Sequence, residues 1–154
     1  MVRIVRRVSV ILFVLAVVSL ALGIVFISQS VIKNHELKTM AQAENVTLGL
    51  SDEQVENGEV VDSLNELLAA GDILREHRQG IAMTYGDLLG GGRFDPTNPK
   101  HLTYAQAINL ENYLYVGALS FGLTQEILAS GVFMIVMAIA LGATGIALLQ
   151  LARK

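Results

Sequence analysis

The stretch Gly86 to Arg93, G-D-L-L-G-G-G-R, sets four glycines ahead of a cation, a composition from which backbone N–H groups can cradle a phosphate. A nucleotide-binding loop of that kind needs G-x-x-x-x-G-K-[ST] after a strand. Here Arg93-Phe94 stands where Lys and Ser or Thr belong, and the residues before it read as helix. That spacing argues against nucleotide chemistry and leaves a turn with docking residues. Gly90, Gly91 and Gly92 give the backbone left-handed freedom to end a helix, Arg93 and Asp95 pair across the turn, and Phe94 acts as an apolar plug into a neighbour. These six residues form the candidate partner-docking loop.

The other chemistry-bearing residues are dispersed. His35, His77 and His101 lie far apart, and His35-Glu36 does not begin an H-E-x-x-H zinc site. A metal site from His77, His101 and an acid requires closure of a helical hairpin, and solvated histidines are the expectation. Eight acids and no Lys or Arg lie between Thr39 and Leu74. No D-x-[DN]-x-[DN]-G loop organises them for calcium, so they read as a mutually repelling, solvated face, unsuited to nucleic acid. There is no G-x-S-x-G and no recognisable pairing of nucleophile and base. With no cysteine, disulfides, thiolate metal sites and c-type haem attachment are excluded. The expectation is a non-enzyme with no catalytic residue, cofactor or metal, and with any small-molecule ligand unidentified.

Local patterns indicate the elements that position these residues. Ser51-Asp52-Glu53-Gln54, Ser63-Leu64-Asn65-Glu66 and Thr103-Tyr104-Ala105-Gln106 each fit the capping box that starts a helix. The first helix ends at Asn57-Gly58, and Val46–Leu50 and Glu59–Val61 are candidate short strands. Leu64, Leu67, Gly71, Leu74, Arg78, Ile81, Tyr85 and Leu88 recur in steps of three and four, an apolar seam interrupted at Gly71 and Arg78. Pro96 and Pro99 hold the corner extended, and a return helix from Thr103 completes a helical hairpin.

The chain's 53% hydrophobic content is concentrated at its ends, where Val8–Ser28 and Ile127–Leu151 carry no ionisable residue. As helices these runs measure roughly 31 and 37 Å, enough to cross about 30 Å of hydrocarbon. The first run exceeds the roughly 7–15 residues of a signal-peptide core and reads as an uncleaved anchor. Arg3, Arg6 and Arg7 precede it, and Arg153 with Lys154 follows the second, so both tails, 1–7 and 152–154, are expected in the cytoplasm. All fourteen acids lie in residues 29–126 with six bases, a formal charge of −8, which places that region outside. The fold class expected is an all-α membrane protein, two antiparallel transmembrane helices carrying an extracytoplasmic helical-hairpin domain. Only three residues follow Leu151, so no cytoplasmic output domain is expected and any signal would pass to a partner.

Within the spans, Ala16, Ser19 and Gly23 share one face of the first helix, and Gly131, Ala138, Gly142 and Gly145 one face of the second. Small residues let helices approach closely in lipid, within one chain or between copies. Neither span holds the ionisable group that a proton relay or ion-coupled carrier needs. GDLLGGGRFDPTNPKHLTYAQAINLENYLY, with its flanking spans, resembles uncharacterised two-span membrane proteins of bacteria. That resemblance implies a bacterial plasma membrane and brings no activity with it. The expected role is an accessory or scaffold protein in the lipid bilayer that self-associates into a homo-oligomer or joins a larger membrane complex. The alternative is an extracytoplasmic sensing or ligand-binding module acting through a partner.

Overall fold

The computed structural model describes residues 2–153, so Met1 and the tail charge expected at Lys154 lie outside the described residues. Five helices follow in order: α1 (Val2–Glu44), α2 (Asp52–Glu56), α3 (Leu64–Ile81), α4 (Tyr85–Leu89) and α5 (Pro99–Leu151). No strand occurs among the described residues. Both α1 and α5 are long and apolar enough to cross a membrane. The chain divides into two compact units, Met1–Asn34 with Leu123–Lys154, and His35–Gly122.

The first unit is a helix pair joined through small residues at a seven-residue interval. Ser9, Ala16, Gly23 and Ser30 are buried on α1, and Thr124, Gly131, Ala138 and Gly145 on α5. A strict seven-residue seam keeps two helices in register through a left-handed supercoil. The Ser9 hydroxyl donates to the Gly145 carbonyl at 2.8 Å and the Ser30 hydroxyl to the Thr124 carbonyl at 2.6 Å. Midway, a Cβ on Gly23 would stand 2.9 Å from the Gly131 carbonyl oxygen, so this approach requires glycine. Of the expected packing residues, Ala16, Gly23, Gly131, Ala138 and Gly145 are buried, whereas Ser19 and Gly142 are only partly covered. Sequence reasoning missed Ser9, Ser30 and Thr124, whose polar side chains hid a spacing that was present.

The second unit packs the end of α1, the segment Val46–Leu50, α3 and the first half of α5 around Val61, Leu67, Ala70, Leu114, Ala118 and Phe121. α1 stops where Asn45 adopts φ +53°, a left-handed helix end that asparagine tolerates. The boxes at Ser51/Gln54 and Ser63/Glu66 form as expected. The third is not at Thr103, which lies inside α5. Pro99 starts that helix earlier, at the position where its missing N–H and fixed φ suit a helix start, and Asn98 Oδ1 accepts the Lys100 N–H. The third box is instead Thr84/Asp87, which opens α4. The expected continuous seam to Leu88 is therefore two helices, divided at extended Ala82. Gly90 (φ +53°) and Gly91 (φ +81°) close α4, but Gly92 does not adopt positive φ. The expected strands reduce to a single backbone bond, Val61 N–H to the Val46 carbonyl at 2.8 Å, because left-handed Asn45 and Gly49 curl the first segment away from an extended path.

Candidate functional site

The two interruptions in the α3 seam are where α5 makes its polar contacts. A Cβ on Gly71 would meet the Tyr115 ring at 2.9 Å, so glycine makes room for that ring. The Tyr115 hydroxyl donates to Asp72 Oδ1 at 2.6 Å, and the same oxygen accepts from Arg75 at 2.7 Å. Burial, reinforced by that hydrogen bond to Asp72, pushes the Tyr115 phenol up to about 12. Two turns along α3, the Arg78 guanidinium spans both Glu111 oxygens at 2.6 and 3.3 Å and donates to the Tyr104 hydroxyl at 2.7 Å. Glu111 and Tyr104 are buried. The hydrogen bond to Glu111 raises the Arg78 pKa against the opposing effect of burial. A forked cation facing a carboxylate is the geometry in which such a pair withstands burial.

Beside these contacts, α1 and α5 border an apolar groove of about 190 Å³. Its floor is Val61, Leu67, Leu114 and Phe121, and Gly117 leaves space above Leu67, the nearest side chain to a Cβ built there at 3.4 Å. Met40, Tyr113 and Val116 stand exposed at its rim. Its polar side chains are Glu44, Tyr113 and Ser120. Burial, and then the Glu44 charge, raise the Tyr113 phenol pKa. Among the described residues, Glu44 is the one carboxylate in the lining and no cluster of metal-ligating residues gathers there, so the groove is suited to receiving an apolar side chain.

The loop singled out in the sequence is arranged mainly around its own contacts. Phe94 is half-buried, with its ring stacked on His101 at 5.6 Å, and the Asp95 N–H donates to His101 Nδ1 at 3.0 Å. The expected Arg93–Asp95 pair is absent among the described residues. Asp95 Oδ1 instead accepts from the Thr97 hydroxyl at 2.7 Å and the Thr97 N–H at 2.8 Å. Those two bonds, the hydroxyl's first, lower the Asp95 carboxyl pKa. A short Asx turn competes well with an exposed arginine, which would have to give up rotamer freedom to pair. Gly90, Gly91, Gly92 and Arg93 are exposed. His77 is exposed on α3, and no group of three metal-ligating residues occurs among the described residues. In the acidic stretch, Asp62 meets Lys38 at 3.3 Å and Gln42 at 2.7 Å, so part of that face is tied to α1.

The groove was missed in the sequence because its walls come from segments some seventy residues apart. One wall was legible: Tyr113 to Leu123, in the uncharged run directly before the second apolar span, reads as a hydrophobic stalk. No protein-family model, curated protein or solved structure matches the chain.

Proposed function

We propose that the chain is an integral protein of the bacterial plasma membrane, with two antiparallel spans, both tails cytoplasmic and residues 29–126 outside. We further propose that it is a non-enzymatic accessory or scaffold subunit that docks a second copy of itself through its extracytoplasmic helical domain. Three observations support the membrane part. Only 11% of the most apolar stretch of either long helix is buried, leaving residues such as Val17, Phe133 and Ile139 bare. A surface of that kind favours lipid as its solvent. Contacts pair Ser9 with Gly145 and Ser30 with Thr124, numbers rising along one helix as they fall along the other, which favours antiparallel spans. The arginines at both ends and the acids between favour cytoplasmic tails.

The observation that carries the docking role is the groove framed by Met40, Tyr113 and Val116. A sensing module needs several polar groups converging in a cavity; a mostly apolar lining favours a partner's side chain over a small polar ligand. The test exploits the absence of cysteine. Purified in mild detergent, the full chain should scatter light as a dimer or larger, Val116→Cys should crosslink between copies on mild oxidation, and Val116→Asp should run as a monomer. A wild-type monomer whose Val116→Cys variant does not crosslink would refute self-docking. A chain that remains dissolved without detergent would refute the membrane reading.

A further inference from the structure

We propose that the exposed face of α1 binds one anionic phospholipid, its phosphate held by Arg3, Arg6 and Arg7 and one acyl chain lying along Val10, Val14 and Val17. The inference rests on the membrane reading above but not on the docking role. Arg3, Arg6, Arg7, Val10, Ile11, Val14, Val17 and Val18 follow helical steps of three and four, so they share one face. That face lies opposite the seam of Ser9, Ala16 and Gly23, and all eight residues are exposed.

Two shallow, wide-open depressions occur along this face. One, of about 600 Å³, is lined by Arg3, Arg6, Arg7, Val10 and Ile11. The other, of about 280 Å³, is lined by Phe13, Val14, Val17 and Val18. The change from guanidinium to hydrocarbon is completed within one helical turn, as it is between a phospholipid's headgroup and its chains. From Arg7 to Val18 the helix rises about 16 Å, close to half of a hydrocarbon core about 30 Å thick, which is the depth of one chain in one leaflet.

Charge selects the headgroup. None of the three arginines has an acidic partner among the described residues, and the nearest acid in sequence is Glu36. Their forked donors suit phosphate oxygens. The ammonium of a zwitterionic lipid would find three cations and no carboxylate, so a headgroup carrying net negative charge is favoured.

The test titrates the full chain in neutral detergent with phosphatidylglycerol and with phosphatidylcholine of identical chains, counting bound lipid by native mass spectrometry. Exposed ion pairs are each worth about 0.5 kcal/mol, or about twofold, so three arginines facing one net negative charge should favour phosphatidylglycerol on the order of 10-fold. The triple variant Arg3→Gln, Arg6→Gln, Arg7→Gln should abolish that preference, and the matching triple Arg→Lys variant should keep most of it. Inorganic phosphate should not displace the bound lipid. Equal binding of the two lipids, an unchanged preference in the triple Gln variant, or displacement by inorganic phosphate would each overturn the site. Solubility without detergent would instead sink the membrane reading beneath it.

Discussion

Replacing Glu111 by leucine would remove the acidic partner, the only one among the described residues, of Arg78, whose side chain is 11% exposed, in a pair whose other side chain is 8% exposed. At an effective dielectric constant near 20, two unit charges about 4 Å apart attract by about 4 kcal/mol. Removing one partner of a buried pair typically costs about 3–5 kcal/mol, because the remaining charge stays desolvated. Glu111→Leu and Arg78→Leu should therefore each destabilise the His35–Gly122 unit by about that amount. The double variant should cost only about 1–2 kcal/mol, since two leucines of similar bulk leave no stranded charge and only the buried Tyr104 hydroxyl loses its partner. All four tyrosines, Tyr85, Tyr104, Tyr113 and Tyr115, belong to this unit, and the chain has no tryptophan. The tyrosine band of the near-UV circular dichroism, followed during urea unfolding in detergent, thus reports on this unit. Those costs imply a coupling of at least about 4 kcal/mol in the double-mutant cycle. Singles costing under about 1 kcal/mol and adding linearly would mean that the pair behaves as an exposed one, and the argument for a buried polar lock would be wrong.

Three further outcomes follow from local geometry. Gly131→Leu should break the helix pair, because even a Cβ would lie 2.8 Å from Ile27 Cγ1. Gly122→Leu, where a Cβ meets nothing within 4 Å, should leave pairing intact, with both read by bis-maleimide crosslinking between Ser30→Cys and Thr124→Cys. Thr84→Ala should cost about 1 kcal/mol by removing the α4 cap, while Thr103→Ala, inside α5, should change stability by less than about 0.5 kcal/mol; urea unfolding of the two variants compares them. Tyr115, pushed up to about 12, keeps its proton when folded after an unfolded tyrosine near 10 has lost it. Its contribution to stability is fully present below pH 10 and is lost as the pH rises towards 12. Ultraviolet titration of the phenolates should show Tyr115 ionising last, and Tyr115→Phe should remove that step.

Periodicity made most of the helices legible. Uncharged runs located the apolar halves of α1 and α5, and capping boxes at Ser51 and Ser63 fixed two helix starts, because both signals are local. The same motif misled at Thr103, since T-x-x-Q also fits the interior of a helix, and Pro99, four residues earlier, is the stronger start signal. Val46–Leu50 and Glu59–Val61 have strand-like composition, but whether such segments pair depends on left-handed residues at Asn45, Gly49 and Gly58. At Asn45 that geometry is invisible in composition alone. The docking loop was read as a set of groups reaching outward, whereas Phe94 and Asp95 are engaged by His101 and Thr97 within a few residues. The groove and the Arg78–Glu111 pair required knowing how α3 meets α5, which no single segment encodes.

The residues that spoil a regular pattern are the ones that choose a register. Leucines along α3 would pack against α5 almost as well one turn away, since apolar contacts are non-directional. Arg78 can meet Glu111, and Tyr115 can enter the gap at Gly71, in one alignment only, so those polar and small residues select it even where an apolar pair would be as stable. The helix pair solves the same problem with glycine. A seam of small residues every seven positions repeats itself after a slip of seven residues, about 10.5 Å. Such a slip would set Gly23 against Thr124 or Ala138, each with a Cβ, where the native alignment presents Gly131. Only the glycine-to-glycine alignment permits the close approach, and the serine hydroxyl bonds at Ser9 and Ser30 then form towards its two ends.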